Sequence, residues 1–126
     1  QHPNVRMLGQ VADTAPIYDR YRVFVAPTRF AAGIAYKLHE AAANGLPIVG
    51  SPLLCQQAGW QEGHDMLCAD ITDPAAFAAQ IIGLYHDQTL WDTVRANALH
   101  RIATEQAPDA YQERIGDIMH GLFAPD

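Results

Sequence analysis

Lys37 and Glu40 sit three residues apart in the stretch AAGIAYKLHEAAANG, which has a glycine near its start and another at its end. At helical spacing the two side chains share one face. Ala31, Ala32 and Gly33 come just before, so the backbone N–H groups at the helix entrance are unobstructed and favour an anion, with phosphate the natural guest. Counting from Ala35, Glu40 lies about 7 Å further along the axis at the usual rise per residue. That offset suits a sugar diol attached to a phosphate held at the helix start. A carboxylate can accept from both hydroxyls of a ribose, as an acidic residue does in dinucleotide folds. The plain alternative is an exposed ion pair between Lys37 and Glu40, worth well under ~1 kcal/mol. Neither GxGxxG nor GxxxxGK[ST] occurs, which argues against a dinucleotide dehydrogenase or a P-loop NTPase. From these residues alone the reading stops at an α/β domain with an anion site.

Other chemistry is scarce. The six histidines, His2, His39, His64, His86, His100 and His120, are scattered and form no metal pattern, and most read as surface residues. His39 adjoins Glu40 but points about a hundred degrees away around a helix. No Ser–His–Asp or paired-carboxylate arrangement follows from spacing. Cys55 and Cys68 show no CxxC spacing. They read as buried reduced thiols of a cytosolic protein, with a single disulfide as the alternative.

The elements that must position Lys37 and Glu40 are short apolar strands alternating with helices. Val5 to Leu8, Val23 to Ala26, Pro47 to Gly50 and Met66 to Ala69 read as four strands. Asp13-Thr14 offers a cap for a helix through Tyr21, and a second helix runs from Ala35 to Asn44, closed by Gly45. Ser51 to Trp60 reads as a loop, with Trp60 packing against a helix that starts at Asp73-Pro74. That helix carries an apolar stripe of Phe77, Ile81, Leu84 and Tyr85. Further helices span Thr89 to Glu105, lined by Leu90, Val94, Ala98 and Ile102, and Pro108 to Phe123. This alternation predicts a parallel sheet covered on both faces, which binds ligands where strand C-termini lead into helices.

Composition agrees. The 126 residues are one domain's worth, 49% of them apolar, and fourteen acidic residues against eight basic give a net charge of −6. That balance argues against nucleic acid or an anionic membrane as the main partner, and leaves room for a small anion in a local pocket of donors. Four strands make a small sheet, and the chain starts without methionine two residues before a proline, which suggests a fragment.

The full string goes further. PNVRMLGQV, a helix, then YRVFVAPTRFAAGIAYKLHEAAANGLPIVGSPL, followed by Glu62 to Ala98, resembles the C-terminal domain of family-4 glycosyltransferases, which have the GT-B fold. The resemblance covers nearly the whole chain. It implies a Rossmann-like parallel sheet with flanking helices, truncated at its N-terminus, with residues 1–126 a partial nucleotide-sugar-binding domain. An N-terminal acceptor-binding domain of the same protein would lie outside the chain. The implied activity is hexosyl transfer from a nucleotide sugar, retaining by family expectation, in polysaccharide biosynthesis, with this fragment inactive alone.

In the family's E-x(7)-E motif the second glutamate, which binds the ribose, matches Glu40. Gly33 and Ile34 match the loop whose amides approach the donor diphosphate. The first glutamate, which addresses the donor sugar, is replaced by Ala32, and a methyl group cannot accept hydrogen bonds from a hexose. Arg29 or Lys37 would then add charge near the diphosphate, or Lys37 would hold Glu40 in place. Ser51 and Thr28 are weaker donor-binding candidates at the same edge, Ser51 having an ordinary loop hydrogen bond as its alternative. No cofactor and no metal are expected, because basic side chains and a helix dipole neutralise the leaving diphosphate. The expected site is the cytoplasm, with membrane contact at the inner face only through regions outside this chain. Two other readings stay open: a non-catalytic α/β interaction module with a decayed nucleotide site, and a nucleotide-sugar epimerase.

Overall fold

In the computed structural model, residues 2–29 and 36–105 are described. The order is α1 (Ala15–Arg20), β1 (Phe24–Ala26), α2 (Tyr36–Ala43), β2 (Ile48–Gly50), α3 (Pro52–Ala58), β3 (Leu67–Cys68), α4 (Pro74–His86) and α5 (Gln88–Glu105). The three strands form one parallel sheet in the order β1-β2-β3. Phe24 pairs with Ile48, Ala26 with Gly50, and Gly50 in turn with Cys68. The expected α/β class, a small parallel sheet with flanking helices, is the observed one. The expected last helix, Pro108 to Phe123, lies outside the described residues.

Alternation along the strands divides the core in two. On one face Ala26, Ile48 and Cys68 join Leu38, Ala41 and Ala42 of α2, Leu54 and Cys55 of α3, and Trp60. On the other, Val49, Leu67 and Ala69 join Phe77 and Leu84 of α4. Helix α5 serves both faces, giving Val94 to the second group and Ala98 and Ile102 to the first. The stripe read from the sequence of α5 is thus the buried one. In α4, Tyr85 departs from it. It is 52% exposed, because one residue past the fully buried Leu84 the helix has already turned to its rim, and the ring lies under the Arg22 guanidinium.

Three other expectations are corrected. Val5 to Leu8 forms no strand; Met7 is 78% exposed. An apolar run becomes a strand only where a neighbouring strand completes its ladder, and the strand paired with β1 is β2. Ser51 to Trp60 is not a loop but contains α3, with Ser51 as N-cap, proline at the first helical position and Gly59 closing it at φ 70°. Trp60 packs away from α4, edge-on to His39 at 5.7 Å and in one group with Ala98 and Ile102. Cys55 and Cys68 are free and buried, as expected of reduced thiols. Burial pushes both thiols up, and the Cys55 thiol donates to the Trp60 carbonyl at 3.1 Å.

The end of the sheet where the strands begin is stapled by side chains. Arg22, just before β1, donates from Nε to the Tyr85 carbonyl at 2.8 Å, near the end of α4. Its guanidinium lies 4.7 Å from the centre of the Trp91 ring, whose Nε1 donates back to the Arg22 carbonyl. Arg95 donates to the carbonyl of Gly45, just past α2. Cations at the C-terminal ends of α2 and α4 oppose the partial negative charge there. Gly45 itself needs its missing side chain. Its φ is +76°, and an added Cβ would sit 2.9 Å from Arg95 Nε. Gly45→Ala is expected to lower stability by about 1–2 kcal/mol, mainly from backbone strain, since the arginine tip can move. A melting curve reads this directly.

Candidate functional site

The opposite end of the sheet, where the strands finish, is where the sequence places its candidates. Thr28 and Arg29 follow β1, and Ser51 follows β2. Thr28 is half-buried and its amide bonds back to the Ala26 carbonyl; Arg29 is exposed. Ser51 is 2% exposed, and its hydroxyl accepts from the Leu54 amide at 3.3 Å. That hydroxyl therefore caps α3, and the Ser51 amide bonds to the Ala26 carbonyl. Of its two sequence readings, the ordinary hydrogen bond is the one the geometry displays. Gly33, Ile34 and Ala32 lie outside the described residues.

Helix α2 carries the remaining pair. Its inner face is fixed by Leu38, Ala41 and Ala42, all at 1% exposure or less. Lys37 projects to solvent, and Glu40 lies half-buried at the margin. Among the described residues no ion pair joins them. Glu40 is held instead from α1. Thr14 donates from Oγ1 to Glu40 Oε1 at 2.8 Å, and the Tyr18 phenol lies near enough to feel the charge of the same carboxylate. Burial, then the Glu40 charge, pushes the Tyr18 phenol up.

Sequence reasoning missed the Thr14 partner. Thr14 reads as a helix cap, but its side chain makes no capping bond, and Asp13 accepts from the Ala15 amide instead. The hydroxyl so released reaches across to α2. Most of the histidines read as surface residues, but His39 is 8% exposed, in edge contact with Trp60, and burial pushes its pKa down. A signal was available, since His39 shares a helix face with Ala42, three residues on.

Elsewhere, Asp65 is 2% exposed and accepts from the Gln61 amide and Arg101 Nε, both at 2.8 Å, and meets His64 Nδ1 at 2.9 Å. Cavities lined by described residues include one of about 330 Å³ beside Arg22 and Trp91 and one of about 270 Å³ beside Asp65 and His100. A third, of about 250 Å³ and largely apolar, touches Thr14 and Tyr18. Lys37 and Glu40 line none of these three. Among the described residues no group of three or more histidine, cysteine or acidic side chains could hold a metal ion. None of their helices is long and apolar enough to cross a membrane.

The structure is thus a parallel α/β domain with a half-buried carboxylate, held by a hydroxyl donor, on the helix that follows β1. The chain belongs to the glycosyl transferases group 1 family, whose pattern matches residues 1–87. That match takes in all three strands and every candidate residue from Thr28 to Ser51. Its role therefore lies in glycosyl transfer. No curated protein matches the chain.

Proposed function

We propose that this chain is the donor-nucleotide-binding part of a GT-B, family-4 glycosyltransferase, acting from the C-terminal domain. Glu40 accepts hydrogen bonds from the ribose hydroxyls of a nucleotide sugar. The amides at Gly33 and Ile34 face its diphosphate, with Lys37 and Arg29 adding positive charge as the leaving group departs. Thr28 and Ser51 contribute backbone shape at the same edge, and the acceptor is held by an N-terminal domain of the same protein. Retention at the transferred sugar, a hexosyl group and a part in polysaccharide assembly at the inner face of the membrane complete the proposal. The observation that carries it is the Glu40 carboxylate, half-buried one turn into α2 and fixed by a 2.8 Å bond from Thr14.

The test is calorimetric titration of the full chain with UDP, GDP and ADP. One of them is expected to bind saturably. Loss of a charged hydrogen-bond acceptor in Glu40→Ala should weaken that binding by about 10–100-fold. Unchanged affinity would show that the ribose lies elsewhere. A second reading is favoured by one residue, Ala32, where the family's first glutamate stands. In that reading the nucleotide site has decayed and the chain is a non-catalytic interaction module. It expects no saturable binding of any of the three nucleotides.

A further inference from the structure

We propose that the cavity of about 330 Å³ at the end of the sheet where the strands begin is a ligand site of its own, one that takes a phosphate group. It does not depend on the donor-binding reading, which concerns the opposite end. Four elements meet around it: the last turn of α1 with Arg20, the approach to β1 with Arg22, the exit from α2 at Gly45, and α5 with Trp91 and Arg95. Its size falls at the low end of small-molecule pockets. Three of the chain's eight lysines and arginines converge there, in a molecule of net charge −6, against one carboxylate, that of Asp19.

The arginines are held in place but not neutralised. The guanidinium carbons of Arg22 and Arg95 lie 4.7 and 5.8 Å from the centre of the same Trp91 ring, which is anchored by its own bond to the Arg22 carbonyl. Like charges held that close repel. Yet among the described residues no carboxylate lies within ion-pair distance of Arg20, Arg22 or Arg95. A guanidinium carries five N–H donors. Arg22 spends Nε on the Tyr85 carbonyl at 2.8 Å and Nη2 on Gln88 Oε1 at 2.7 Å, and Arg95 spends Nε on the Gly45 carbonyl at 3.1 Å. Nη1 of Arg22 and both terminal nitrogens of Arg95 are left without a protein acceptor among the described residues. Forks already set by stacking and by backbone bonds cost little to order when a ligand arrives. A phosphate dianion has oxygens enough for two such forks and the charge to relieve their repulsion. A soluble phosphomonoester and a lipid headgroup both carry that chemistry.

The probe is inorganic phosphate, titrated calorimetrically into the full chain at constant ionic strength, with chloride in its place as the control. Binding is expected to saturate with a Kd of about 1 mM or below. Arg95→Gln removes charged donors to the anion and should weaken binding by about 10-fold or more. Arg20, exposed on the last turn of α1, should matter less, with Arg20→Gln costing about 2–5-fold. That variant serves if Arg95→Gln, which also loses the bond to Gly45, fails to fold. Asp19→Asn should tighten binding by about 2–5-fold, a gain that a merely structural role for the arginines would not produce. Glycerol phosphate, and vesicles of phosphatidylcholine with phosphatidic acid, separate the sources. Binding of the first alone assigns a soluble ester, pelleting with the second that inorganic phosphate reverses assigns a headgroup, and binding of neither leaves inorganic phosphate itself as the ligand. No saturable binding of phosphate, or binding that all three substitutions leave at the wild-type value, overturns the proposal.

Discussion

Replacing Asp65 with alanine is expected to cost the fold about 3 kcal/mol, at the lower end of what breaking a buried ion pair costs. The carboxylate has only 3% of its side chain exposed, and three donors converge on it. Two are local, the Gln61 amide and the ring of His64. The third, Arg101, comes from α5 and ties the turn before β3 to the last turns of that helix. Alanine leaves the Gln61 amide without its acceptor and takes the Asp65 carboxylate away from the Arg101 guanidinium. Arg101, at 24% exposure, can recover some water, which places the cost at the low end. Asp65→Asn keeps the shape and an acceptor oxygen and should cost less.

The same carboxylate gives the chain a pH dependence of defined sign. Burial alone would raise the Asp65 pKa, but hydrogen bonds from Gln61, His64 and Arg101, with the arginine's charge, outweigh it and hold the carboxyl below its ordinary value. Its contribution is therefore complete above about pH 4, where the unfolded chain titrates, and is lost as pH falls through the lower folded value. His39 acts at higher pH. Burial holds its folded pKa below the ordinary 6.5, so the unfolded chain takes up the proton first as pH drops below that value, and stability falls. Urea melts at pH 7, 5 and 3 should show two stages of loss, and Asp65→Ala should lack the second. A variant that still weakens between pH 4 and 3 as steeply as the wild type would assign that stage to other carboxylates.

What was legible in the sequence was what depends on near neighbours. Asp73-Pro74 announces α4, and Asp73 does accept from the Ala76 amide. Spacing places Lys37 and Glu40 on one short helix, and both lie on α2, with no ion pair between them among the described residues. Ser51-Pro52 is the same signal as Asp73-Pro74, yet the sequence of α3 reads as a loop, because seven residues are too few to display a helical stripe. Val5 to Leu8 fails for the opposite reason. Its local pattern suits a strand, but a strand is a property of pairs. The contacts that hold the site and its frame span 26, 36 and 63 residues, at Thr14–Glu40, Asp65–Arg101 and Arg22–Tyr85. No periodicity encodes them. They arise once a parallel sheet brings the starts of α1 and α2 to one edge and the ends of α2 and α4 to the other.

That dependence makes Leu38→Ala the second large prediction, a loss of about 3–5 kcal/mol. Leu38 is fully buried, the third residue of an eight-residue helix. A helix that short does not persist by its own hydrogen bonds, so α2 stays helical because its inner face is packed. Of that face, Ala41 and Ala42 supply one methyl each, and Leu38 supplies most of the apolar volume. Its neighbours include Ala26, Ile48 and Ala98, which belong to strands and to a long helix tied down elsewhere, so the space left by truncation cannot close by collapse. Leu38→Met keeps the volume and should cost under about 1.5 kcal/mol. Leu38 points inward while Glu40 lies two residues on at the margin, so truncation should shift urea midpoints strongly but weaken nucleotide binding less than Glu40→Ala does. If instead Leu38→Ala melted like the wild type, α2 would owe its place to something other than its packed face, and the fixing of Glu40 would have to be sought in α1 alone.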